Sequence, residues 1–321
     1  MGWLWALLGC TRPDPLGPLV ADNLDALAHG QLSVGDRGLD DALFMRLLDA
    51  PAMRDVVRLR AAGNRLGPAS ARRIAEHPRT AGLRQLLLGS NPAIGAEGLR
   101  ALAEAPFLPA LEELDVSNTG ADGAALAALA RAHALTDLDA SANPVGDDAV
   151  PALLALPSLR RLHLRSTRLS LDGLRALLAH PTLTLLEVDG TALGAGFRTR
   201  PDAPPRDGTH TPPEPVPPLA AEPAPAAFAP RPGGGARWTL ALADTGLTVG
   251  ELGWLFATDA PLAALDVGGN PLGDAGADAL SNAPWLATLE TLDADRIGAS
   301  PEALGRLRVA WGDRSGLTIG D

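Results

Sequence analysis

The sequence predicts an α/β solenoid of stacked strand-and-helix units, with a parallel sheet on a concave face and short helices on the convex face. Three observations carry that prediction. A motif of spaced aliphatic residues recurs along the chain, the intervals between its copies hold little more than one strand and one short helix, and the segments between copies have helical apolar spacing. With 321 residues and 46% hydrophobic content, the chain has enough material to bury a core.

The motif reads L-x-x-L-x-L-x-x-N, with Thr also taking the last slot. Clear copies are Leu83, Leu86, Leu88, Asn91; Leu135, Leu138, Ala140, Asn143; Leu159, Leu162, Leu164, Thr167; Leu183, Leu186, Val188, Thr191; and Leu262, Leu265, Val267, Asn270. Weaker copies end at Arg37, Asn64, Thr119, Thr245 and Ile297, which makes ten candidate repeats. Successive slots lie 27, 27, 28, 24, 24, 24, 54, 25 and 27 residues apart. The second and third aliphatic positions are two residues apart, so on a strand both point to one face, into the core, while their neighbours point out. An amide at the slot can bond backbone groups where the chain leaves the strand, and Thr can do part of the same; Arg37 and Ile297 cannot, which marks irregular terminal repeats. Each unit exposes an apolar edge that only a neighbour can cover.

On these residues the chain resembles a leucine-rich-repeat protein. Gly95–Ala105 and Leu171–Ala179 have helical spacing after the slot, so the pattern is similar to the ribonuclease-inhibitor-like class, although the 24-residue units leave space for only a short helix.

Taken in order, residues 1–28 form an N-terminal segment and cap, with an amphipathic helix expected over Pro18–Ala28. Repeats one to seven occupy 29–196. The 54-residue interval then holds an insertion, 197–236, in which twelve of the 29 prolines fall between Pro201 and Pro232 and are followed by Gly233, Gly234 and Gly235. That composition suits an extended spacer rather than a helix or a core. Its P-x-x-P spacings at Pro212, Pro215 and Pro218 match polyproline recognition only formally. Repeats eight to ten resume at Trp238–Leu242 and run through 237–297. A flexible linker between two short solenoids is the rival reading. Residues 298–321 form the C-terminal cap, where alternation over Leu307–Ile319 around a Gly-Asp-Arg-Ser-Gly turn suggests a strand or hairpin.

Composition excludes several functions. Acidic residues outnumber basic ones 38 to 27, all the basic residues are Arg, and nucleic acid is therefore not the expected partner. One Cys rules out a disulfide framework and a Cys-based zinc cluster. No apolar run approaches the roughly 20 residues of a membrane span. The absence of Lys and Tyr beside abundant Ala, Gly, Pro and Arg suggests a GC-rich bacterial genome. Met1–Cys10 (MGWLWALLGC) resembles a lipoprotein lipobox but lacks a basic start, so a cytoplasmic chain is expected, with lipid anchoring through Cys10 as the alternative.

Phosphate-loop, zinc-protease, nucleophile-elbow and EF-hand motifs are all absent from the sequence, so no catalytic residue, cofactor or metal is assigned. Of the histidines, His163 falls on an outward strand position, whereas His77, His133 and His180 fall in helix-to-strand returns, where solvated or capping roles are expected. Stacked strands place equivalent outward positions in rows about 4.8 Å apart. Those rows give Arg58 and Arg60; Gln85 and Leu87; Glu113, Asp115 and Ser117; Asp137, Asp139 and Ser141; Arg161, His163 and Arg165; Leu185, Glu187 and Asp189. Beyond the insertion come Ala241 and Ala243, then Asp266, Asp293 and Asp295. The charged members, Arg58, Arg60, Glu113, Asp115, Asp137, Asp139, Arg161, His163, Arg165, Glu187 and Asp189, are the candidate partner-binding residues. The competing reading makes them solvated ion ladders, Asp137 with Arg161, Asp139 and Glu187 beside His163, Asp189 with Arg165, worth about 0–1 kcal/mol each. A metal at Asp139, His163 and Glu187 is disfavoured because a straight row does not converge on one ion. The expected function is a monomeric, non-enzymatic scaffold for a protein partner; an enzyme regulator of the small-GTPase-activating or inhibitor type is the alternative that the resemblance implies.

Overall fold

The structure is a computed structural model and describes residues 16–50, 55–194, 237–257 and 260–320. It divides into two compact units between Leu159 and Arg160. Cys10 and the insertion 197–236 lie outside the described residues.

In the first unit, α1 (Leu16–Leu27) precedes β1 (Gln31–Ser33), α2 (Asp41–Asp49), β2 (Arg58–Arg60), α3 (Pro68–Glu76), β3 (Gln85–Leu87), α4 (Gly95–Ala103), β4 (Glu113–Asp115), α5 (Gly123–Ala127), β5 (Asp137–Asp139) and α6 (Val150–Leu154). All strand pairs are parallel, and the register stacks Leu32, Leu59, Leu86, Leu114 and Leu138 in one column. Each of these side chains is at most 1% exposed, and the next inward column, Val34, Ala61, Leu88, Val116 and Ala140, is fully buried. The motif's two inward positions therefore build the core, as the alternation requires.

The second unit holds β6 (Arg161–His163), α7 (Leu171–Leu177), β7 (Leu185–Glu187), β8 (Trp238–Ala241), α8 (Gly253–Ala257), β9 (Leu262–Asp266), α9 (Gly273–Ser281), β10 (Thr291–Asp293), α10 (Pro301–Trp311) and β11 (Leu317–Thr318). Its strands are also parallel, with Leu162, Leu186, Leu240, Leu265 and Leu292 in register and buried. β7 pairs directly with β8, Leu186 against Leu240, so the sheet of this unit continues across the insertion.

The slot works as a backbone clamp. Asn143 Oδ1 accepts the N–H groups of Thr119, Gly120 and Ala121 at 3.1, 2.8 and 3.1 Å, while its Nδ2 donates to Val116 O and Ala140 O. Asn64, Asn91 and Asn270 bond in the same way. Thr167 and Thr191 share the task, each donating to Leu164 O. At the irregular slots, Arg37 is exposed and offers its backbone N–H to Asn64, whereas Ile297 is fully buried.

The C-terminal stretch holds a strand at Leu317–Thr318, but its first part is helical and it forms no hairpin. Leu307 lies inside α10, and β11 runs parallel to β10 rather than folding back as a hairpin. Over Leu307–Trp311 helical spacing prevails: Leu307 and Trp311 join Ala303 and Leu304 in one buried face, begun by a Ser300 cap with Pro301 after it. Gly312, at φ 75°, ends the helix, and Trp311 Nε1 donates to Arg314 O at 2.9 Å while the Arg314 guanidinium lies 4.1 Å from the Trp311 ring centre.

Candidate protein-binding surface

The sequence-predicted outward positions do point away from the core in each unit. In the first, Arg58 aligns with Gln85 and its guanidinium donates to that side chain, while Arg60 is exposed and aligns with Leu87. Glu113 then aligns with Asp137 and Asp115 with Asp139, so basic β2 and acidic β4 and β5 are separated by the neutral β3.

The aspartates are fixed by the backbone that follows them. Asp115 Oδ1 accepts Ser117 N–H at 2.9 Å, Asp139 Oδ1 accepts Ser141 N–H at 2.9 Å, and Asp266 and Asp293 accept Gly268 and Asp295 N–H at 2.9 and 3.0 Å. Each thus satisfies a donor released where the strand ends. A Cβ on Gly89 would lie 2.6 Å from both Asp115 Oδ2 and Ser117 Oγ, so the glycine makes room for this arrangement.

The second unit concentrates charge on β6 and β7. His163 Nδ1 donates to Glu187 Oε2 at 2.6 Å, the Arg165 guanidinium also reaches that oxygen, and Arg165 Nε lies 3.4 Å from Asp189 Oδ2. Glu187 is only 14% exposed, so it is a partly buried carboxylate held between two cationic or donor groups. Asp189 also accepts Ala243 N–H at 2.9 Å. The expected Arg165–Asp189 and His163–Glu187 contacts are therefore present, but as one network rather than as separate surface pairs.

Beyond Ala241 and Ala243, Asp266 aligns with Asp293, and neither forms an ion pair among the described residues. Burial raises the Asp266 carboxyl above its usual value, and Asp293, Asp189 and Asp244 add repulsion. Burial likewise raises Asp115, where Asp139 adds to the shift, and Asp189, where Glu187 does. These carboxylates resist ionisation yet face outward.

Among the pairs that sequence reasoning missed, one lies beside the slots. Asp244 and Arg296 meet at 3.4 Å across Gly269, where a Cβ would lie 2.0 Å from Asp244 Oδ1. Their equivalent places one residue before the slot in repeats eight and ten, with glycine between, were the available signal. Of the return histidines, His77 and His180 are buried and His133 is exposed. Among the described residues no three His, Cys, Asp or Glu side chains come together as metal ligands, and no helix is long and apolar enough to cross a membrane.

Strand, slot clamp and helix, repeated in register, define the leucine-rich-repeat class of α/β solenoid. A leucine-rich-repeat family model matches residues 83–103, 155–178 and 260–281, which contain β3 with α4, β6 with α7, and β9 with α9. These three segments thus match leucine-rich repeats, and the parallel strands with their helices are consistent with a leucine-rich-repeat α/β solenoid fold. No curated protein matches its sequence. Among solved structures it is similar to a chain in the crystal structure of the Rad7 and Elc1 complex in yeast, at 15% identity and a TM-score of 0.45, over 99% of this chain and 79% of that one.

Proposed function

We propose that this chain is a non-enzymatic protein-interaction scaffold that binds a protein partner on the outward faces of its sheets. The residues assigned to binding are Arg58, Arg60, Glu113, Asp115, Asp137 and Asp139 in the first unit and Arg161, His163, Arg165, Glu187 and Asp189 in the second. The observation that supports this reading most is the state of the carboxylates: Asp115 and Asp189 are partly buried, raised above their usual values and oriented by backbone N–H groups. Carboxylates held in a fixed orientation on an outward face present a defined pattern of acceptors to a partner. Sheet faces of stacked repeats are broad and rigid, which suits them to electrostatic recognition of another protein. The repeats are of the ribonuclease-inhibitor-like type, and the reading extends to a bacterial, cytoplasmic chain with a spacer at 197–236 and caps at 1–28 and 298–321.

The test uses the wild-type chain as bait and Asp137→Arg/Asp139→Arg as its variant. Exposed or half-exposed charges contribute at most about 1 kcal/mol to stability, so the melting temperature should move little. Inverting the potential of β5 should slow association and reduce capture of the same protein at least tenfold. Undiminished capture by the folded variant would remove the first unit's sheet face from the binding surface.

A further inference from the structure

Residues 77–80, His-Pro-Arg-Thr, carry the chain from the end of α3 toward β3, and they are a junction of hydrogen bonds. Arg79 donates from its guanidinium to Leu48 O and Ala50 O at 3.2 and 2.9 Å, at the C-terminal end of α2. Thr80 Oγ1 donates at 2.6 Å to the carbonyls of Ile74 and His77, and Arg79 O accepts Val56 N–H at 2.6 Å. At the centre is the His77 imidazole, 7% exposed, whose Nδ1 accepts Arg79 N–H at 3.2 Å while Nε2 lies 3.3 Å from Asp49 Oδ1.

We propose that His77 is an acid-sensitive latch: its neutral ring, protonated on Nε2 alone, holds the α3-to-β3 return against α2, and proton uptake on Nδ1 opens that return. An imidazolium has two donors and no acceptor, so the added proton faces the Arg79 N–H and their bond is lost. His180 repeats the arrangement in the second unit, where its buried Nδ1 accepts Thr182 N–H at 3.3 Å and Leu183 N–H at 3.2 Å, again at a His-Pro step.

The charged groups facing His77 are Asp49 from α2, Arg73 from α3 and Arg79 from the return itself. Asp49 favours the cation, but Arg73 already binds that carboxylate and holds it below its usual value, more than His77 does. Burial, first, and then Arg73 lower the His77 value, with Arg79 adding to them, and together they outweigh Asp49. The unfolded or opened chain therefore takes the proton before the closed one. The latch is complete above the ordinary histidine value of about 6.5 and weakens as pH falls through the interval below it.

The experiment is NMR of the full chain, following the His77 ring and the exchange protection of the Arg79, Thr80 and Leu83 amides from pH 7.5 to 5, corrected for intrinsic exchange. Wild type should show His77 titrating below the ordinary value, with protection at those amides falling by up to about tenfold per pH unit. His77→Asn places an amide oxygen near the Nδ1 position and does not titrate, so its protection should be wild-type-like at pH 7.5 and lack the acid step. The same acid step in His77→Asn overturns the latch. If that variant is already unprotected at pH 7.5, wild type decides: His77 taking up a proton while the three amides stay protected overturns it equally.

Discussion

Ala142 has a φ of 55°, a conformation that costs a side-chain-bearing residue about 1 kcal/mol. It is not isolated: Asp36, Gly63, Ser90, Asn118, Ser166, Gly190, Asp244, Gly269 and Arg296 are also left-handed, and each precedes a slot. The strand must turn sharply there for the slot side chain to reach the carbonyl three residues back. Ala142→Gly should therefore raise the unfolding free energy by about 0.5–1 kcal/mol. Its neighbour should behave oppositely, since Asn143→Ala strands the N–H groups of Thr119, Gly120 and Ala121 and costs about 2–4 kcal/mol. Urea unfolding at unchanged m-value measures both. An Asn143→Ala protein as stable as wild type would mean that the clamp is not structural. The slot was legible in the sequence because Asn and Thr recur there. The left-handed residue before it was hidden at Ala142 and Arg296, whose residue types carry no turn signal.

Element lengths follow repeat lengths. Intervals of 27 and 28 residues accommodate the nine-residue helices α2, α3 and α4, whereas the 24-residue units hold α5, α6 and α7, which have five, five and seven. Three residues are nearly one helical turn, so the spacing alone indicated the short helices. Strands were equally readable, and Gln85, Asp137 and Arg161 begin theirs as the motif predicts. α10 was not, because its apolar residues satisfy period two and period 3.6 over the same stretch and its Ser-Pro start was the deciding signal. At the end of β9, Asp266 accepts one N–H and is repelled by three carboxylates. Its value is raised, so whatever it contributes to stability improves as pH falls from neutral through that raised value. Asp266→Asn keeps an acceptor for Gly268 and removes the repulsion. At pH 7 it should leave stability unchanged or higher by no more than about 1 kcal/mol, after allowing for solvent screening of a half-buried group. Denaturation of the variant at pH 7 and pH 4 checks this, and a loss above about 1 kcal/mol at pH 7 would give the charge a structural role instead.

Across the whole molecule, the charge order of the sheet faces was legible because alternation tells inward from outward, and the intervals tell which residues align. What alternation cannot convey is burial: Glu187 and His163 looked like half of a solvated ladder, yet they form a partly enclosed network with Arg165 and Asp189. The motif itself resumes at Trp238–Leu242, and β7 pairs directly with β8 although 42 residues separate Gly194 from Arg237. The identity of a partner depends on a second surface and is written in neither. The central claim is that the sheet faces, and not the helices, meet that partner. Carboxylate footprinting tests it most directly, comparing labelling of the free and partner-bound chain by mass spectrometry. Glu113, Asp137 and Asp139 should lose label several-fold on binding, while Glu97, Glu104 and Asp172 on the helix side keep theirs. Protection of the helix-side carboxylates with the sheet-face ones unchanged would contradict the account.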